Sequence, residues 1–149
     1  MNKEKILEHQ RNYLEWIDTL QELSEEQATS PYAEGKWSPN EIVMHLAEWD
    51  RFTLEERLPR MNEGEKLESF PDFEGFNAKA AALSHEQSFK ETLDYAKKQR
   101  QAILEQLRQI DEVEWDKAFF IGEHKLTIRS YFADFIHHDN HHKKQIMHK

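Results

Sequence analysis

Apolar residues recur at three- and four-residue steps through four separate stretches of this chain, the period of amphipathic helices. The first stretch runs from about Lys3 to Gln27, with Ile6, Leu7, Tyr13, Leu14, Ile17 and Leu20 on one side. Ser30-Pro31 and Gly35 then break it. The second opens at Trp37-Ser38-Pro39-Asn40-Glu41, where Ser38 is a good N-cap, Pro39 suits the first helical position and Glu41 completes a capping box. Ile42, Leu46, Trp49 and Phe52 form its apolar side, and Pro59 ends or kinks it. Four glycines and four prolines are too few for the many turns of an all-β chain.

The spacing predicts a loop from Gly64 to Asn77, in which Phe70, Phe73 and Phe76 suggest a segment packed on the body. A short helical turn over Ala78 to Leu83 follows. A third long helix is expected from Ser84, with a capping box closed by Gln87, to about Ile110. Phe89, Leu93, Ala96, Ile103, Leu104 and Leu107 mark its core side. Asp111 to Leu126 is a further connection with a turn around Gly122, and the last helix starts with Thr127 as N-cap. The expected fold is all-α: one domain over residues 1–149, a four-helix bundle with a long crossover between helices 2 and 3. Such a connection allows those two helices to run parallel.

A formal net charge of −9 opposes the counterion displacement that nonspecific nucleic-acid binding requires, so no nucleic-acid partner is expected. Lys97-Lys98 with Arg100, and Lys143-Lys144, read as solvated helix faces. There is no apolar run near 18 residues, and the first residues enter a charged amphipathic pattern rather than a signal peptide; the expectation is a cytoplasmic protein with no membrane partner. With no cysteine, neither a disulfide, a thiolate ligand nor a cysteine nucleophile is available.

The chemistry concentrates in the last helix. Four of nine histidines fall between His137 and His142. On a helical wheel centred on Ile128, Tyr131, Phe132, Phe135 and Ile146, His142 lies within roughly 30° of the apolar stripe and His138 within roughly 75°. His137 and His141 lie well over about 100° away and read as solvated. His45 stands at the edge of the apolar face of the second helix. Three neutral imidazoles from two facing helices suit a divalent metal, and three protein ligands leave a position for water or substrate. Alternatively, the histidines are packed core residues. Trp49, Phe52 and Tyr131 likewise read as core, or as the walls of a pocket.

His138-Asp139-Asn140-His141-His142 is like the H-E-x-x-H peptidase motif with Asp for Glu. Those peptidases usually draw a third ligand from downstream, where seven residues remain, which disfavours that reading. Asp139 is a candidate to orient an imidazole or hydrogen-bond a metal-bound water; its other reading is a solvated or capping acid.

Together, Trp37-Ser38-Pro39-Asn40-Glu41-Ile42-Val43-Met44-His45-Leu46-Ala47-Glu48-Trp49-Asp50 and His138-Asp139-Asn140-His141-His142-Lys143-Lys144-Gln145-Ile146 resemble the second- and last-helix signatures of the DinB-like, or YfiT-like, superfamily. Phe70 to Phe76 resembles its aromatic loop. The resemblance covers nearly the whole chain. It implies a four-helix bundle in which His45, His138 and His142 hold a divalent ion such as zinc, nickel or iron. It also implies a small-molecule substrate, and homodimers are frequent among such proteins. Related branches include thiol transferases using bacillithiol or mycothiol, and a maleylpyruvate isomerase. The expected activity is therefore metal-dependent S-transfer from a low-molecular-weight thiol, or hydrolysis. The alternative is a bundle that binds metal or a small molecule without turnover.

Overall fold

The computed structural model describes residues 1–69 and 72–147. Six α-helices are present among them: α1 (Lys3–Thr19), α2 (Glu25–Thr29), α3 (Pro39–Phe52), α4 (Phe73–Ser84), α5 (Phe89–Gln109) and α6 (Ile128–Met147). The long helices α1, α3, α5 and α6 form the four-helix bundle, and the chain from Thr53 to Ser88 is the crossover between α3 and α5. None of the helices described is long and apolar enough to cross a membrane.

Local signals explain most boundaries. Ser38 accepts from the Glu41 N–H at 3.2 Å, and Glu41 accepts from the Ser38 N–H at 2.9 Å, so α3 begins on the predicted capping box. Thr127 and Ser130 exchange a similar pair of bonds at the start of α6. The predicted first helix is divided: α1 stops at Thr19, a 3₁₀ turn follows over Leu20–Glu22, and α2 starts on its own box from Ser24 and Gln27.

The crossover departs most from expectation. Phe73 to Asn77, expected as loop, is the first part of α4, a helix of 12 residues. Phe70 and Pro71 lie outside the described residues. The third long helix starts at Phe89, capped by Ser88 and Glu91, because Ser84 is still inside α4. A three-stranded sheet, unanticipated from sequence, ties both connections together. β1 (Lys66–Leu67) runs parallel to β2 (Phe119–Ile121), pairing Lys66 with Phe120. β2 then turns at Gly122, in the left-handed region at φ 58°, into the antiparallel β3 (His124–Leu126).

The core has two apolar clusters. One gathers Ile6, Leu7, Ile103, Leu107, Trp115, Phe119, Ile121 and Phe132. The other gathers Tyr13, Ile17, Ile42, Leu46, Leu93, Ala96 and Ile146. Each bundle helix also carries a buried polar residue into this interior: Gln10, Asp50, Arg100 and Asp139. Arg100 donates to Gln10 at 3.0 Å, to Asp50 at 2.9 and 3.0 Å and to Asp139 at 2.7 and 2.9 Å. Arg100 is therefore no solvated basic residue; it is 0% exposed and joins all four bundle helices.

Candidate metal centre

The capping box fixes the start of α3 and, two turns on, the position of His45. In α6, His138 and His142 occupy one face on adjacent turns, with ring centroids 4.7 Å apart. His45 meets them at 5.3 and 4.8 Å between centroids. Its Nε2 lies 3.3 Å from Nε2 of His138, and one ring nitrogen from each of the three falls within 4.8 Å of the others. A tetrahedral ion with metal–nitrogen bonds of about 2.0–2.1 Å would separate its ligand nitrogens by about 3.3 Å. The cluster is thus near coordinating geometry.

Its electrostatics suit a cation. Burial, followed by the neighbouring His142 and His138, lowers the His45 pKa to about 3. Burial likewise lowers His142 to about 4, partly opposed by its bond to Gln145. His138 is lowered by burial, with the Asp139 charge acting the other way. All three rings are therefore neutral near pH 7, as imidazole ligands must be. His142 Nδ1 donates to Oε1 of Gln145 at 2.7 Å, which leaves its Nε2 for the cluster.

The histidines border a cavity of about 720 Å³. Trp37, Trp49, Phe73, Tyr131 and Phe135 give it a mainly aromatic wall, with Asn77, Lys125 and Asp134 as polar members. The Trp37 ring lies 5.1 Å from His45 and 6.4 Å from His142. Tyr131 is fixed by a 3.1 Å hydrogen bond to Thr53, in a π-helical turn that follows α3. Phe52 does not line the cavity but stacks on Trp49 at 5.4 Å.

The wheel reading separates the tail histidines as the structure does: His142 is buried and His138 half-buried, whereas His137 and His141 are exposed. Asp139 is fully buried and bonded to Arg100 and, at 2.9 Å, to His9. Burial works to raise its pKa, but Arg100 and His9 outweigh that and hold it below the usual range. Asn77 was missed because its segment read as loop. The signal available was its place four residues after Phe73 and one after Phe76, the two rings that pack on Trp49 at 5.8 and 5.1 Å.

Three solved structures share this architecture. YfiT from Bacillus subtilis, described as a probable metal-dependent hydrolase with an unusual four-helix bundle topology, matches with a TM-score of 0.79 at 16% identity, over 98% of this chain and 84% of its own. An uncharacterized protein from Clostridium difficile matches at 0.77 and 12% identity, over 99% and 94%. A DinB-like protein from Bacillus cereus matches at 0.64 and 17%, over 93% and 81%. At such identities these likenesses establish the fold. No curated protein is significantly similar in sequence. The DinB superfamily model matches residues 6–146, and the chain, bundle and histidine cluster included, belongs to that superfamily.

Proposed function

We propose that this protein is a divalent-metal-dependent enzyme acting on a small molecule, with His45, His138 and His142 as the ligands. The carrying observation is that three neutral imidazoles converge beside a cavity of small-molecule size. The spacing of the ring nitrogens and the neutral state of the rings support the fit to zinc, nickel or iron. YfiT, the structural relative described as a probable metal-dependent hydrolase, supports the same class of chemistry. A bound ion would supply Lewis acidity toward a substrate oxygen and would lower the pKa of a coordinated water or thiol.

The chain itself supplies position and exclusion of water. Trp37, Trp49, Phe73 and Phe135 offer faces to an apolar or planar substrate body. Lys125 and Asp134 offer charges of opposite sign for its polar groups. With no cysteine in the chain, a thiol enters only as a cosubstrate. Hydrolysis and thiol transfer are the two reactions we assign to this class of site.

The test is turnover by zinc-, nickel- and iron-loaded protein against activated esters and amides, and against an electrophilic chloroarene with low-molecular-weight thiols. Metal-dependent turnover that His45→Ala abolishes is expected, and the cosubstrate requirement then separates the two reactions. Tight ligand binding without turnover across both panels would identify a binding protein instead.

A further inference from the structure

His45 turns Nε2 toward His138, so its other ring nitrogen faces away from the cluster. An imidazole that gives its Nε2 lone pair to a metal carries its proton on Nδ1, and a partner for that N–H fixes both tautomer and ring orientation. For His142 the partner is present, the amide oxygen of Gln145. For His45, Nδ1 is buried and makes no hydrogen bond among the described residues. The amide oxygen Oδ1 of Asn77 is also buried and has no partner among them.

These two orphaned atoms belong to side chains that line the same cavity. The Asn77 side chain also lies within hydrogen-bonding reach of the His45 ring. Leaving a buried donor and a buried acceptor unmatched is costly, and a bond between the two would satisfy both. The helix is held in place to do so: Phe76 and Phe73, on the same side of α4, pack on Trp49, one turn beyond His45 in α3.

We propose that Asn77 is the positioning residue for His45, its Oδ1 accepting the Nδ1–H so that Nε2 is held toward the metal. It matches the role of Gln145 on His142, so that two ligands are each oriented by a side-chain amide, one of them from the crossover helix. The proposal rests on the metal reading above.

The experiment measures zinc affinity by competition with a chromophoric chelator, for the wild-type chain, Asn77→Ala and Asn77→Asp. It adds ring-nitrogen NMR of His45 in the zinc-loaded protein. Asn77→Ala is expected to weaken zinc binding by about 10–100-fold, the usual effect of losing a partner of a ligand. Asn77→Asp, which keeps an acceptor oxygen, restores the affinity. The wild-type spectrum shows a His45 Nδ1–H protected from exchange. Equal affinity in the wild type and Asn77→Ala, or a loss that Asn77→Asp does not repair, overturns the proposal. Should Asn77→Ala fail to fold, a rapidly exchanging His45 Nδ1–H in the wild type overturns it alone. A wild-type chain that binds no zinc, nickel or iron overturns the metal reading too, which sets that failure apart.

Discussion

Arg100 donates to both oxygens of Asp139, at 2.7 and 2.9 Å, where neither side chain has any exposure. The same guanidinium grips both oxygens of Asp50. One cation thus serves two carboxylates within the apolar core, and burial raises the Asp50 pKa to about 7 despite the pull of Arg100. Because Asp139 follows His138 directly, this layer also sets the rotation of α6 that presents His138 and His142.

Arg100→Met removes the cation and strands the acids. Breaking a buried ion pair from one side costs about 3–5 kcal/mol, and a loss of that size is expected in urea unfolding. A change below about 1 kcal/mol, in the range of exposed pairs, would show that the layer is solvated in solution.

The helix cap distinguishes two serines only four residues apart. Ser88 accepts from the Glu91 N–H at 3.1 Å, whereas buried Ser84 donates its hydroxyl to the Ala81 carbonyl. Ser88→Ala should cost about 1 kcal/mol, as lost N-caps do. Ser84→Ala should cost less, since Ser84 caps no helix and alanine favours the helical position it holds at the end of α4. Chemical denaturation of the two variants checks the order.

That pair also shows what the sequence made legible. Both Ser84-x-x-Gln87 and Ser88-x-x-Glu91 fit the capping pattern, and choosing between them depended on recognising α4, whose start at Phe73 carries no capping hydrogen bond from Asp72. The α3 box had no such rival, so its boundary and the place of His45 were readable. The inward pair in α6 was readable because the wheel depends only on helix geometry. Arg100 was misread from its charge, although it follows Leu93 and Ala96 and precedes Ile103 and Leu107 on the buried stripe. The short strands were not readable: two- and three-residue segments have too little alternation to register, and β1 pairs with a strand more than fifty positions further along the chain.

Acid should destabilise the chelator-treated protein. In the unfolded chain the cluster histidines titrate near 6.5; in the folded chain His45 does so at about 3 and His142 at about 4. Above pH 6.5 both states are neutral and this contribution is complete. Below it the unfolded state takes up protons that the folded state refuses, so stability falls from about pH 6.5 toward pH 4. His45→Phe should flatten that slope in melting experiments from pH 8 to pH 4. An unchanged slope would mean that other groups govern acid sensitivity.

Nickel should quench tryptophan fluorescence, because Trp37 stands beside two cluster histidines and Trp49 lies 6.4 Å from the third. Among the described residues Trp115 and Trp16 make no ring contact with these histidines, Trp16 packing on Tyr13 instead, and they should respond little. Trp37→Phe is expected to remove a large part of the quench while zinc still stabilises the variant. Full quenching in that variant would place the ion away from Trp37.

Elemental analysis of untagged protein purified without chelator, alongside His45→Ala, His142→Ala and His137→Ala, reads the metal centre itself. About one divalent ion per chain is expected in the wild type and in His137→Ala, whose ring is exposed, with loss of that ion in the other two. Equal loss in all three variants would indicate loose capture by the histidine-rich tail. A wild-type chain without metal even after reconstitution would rule out the three-histidine metal centre.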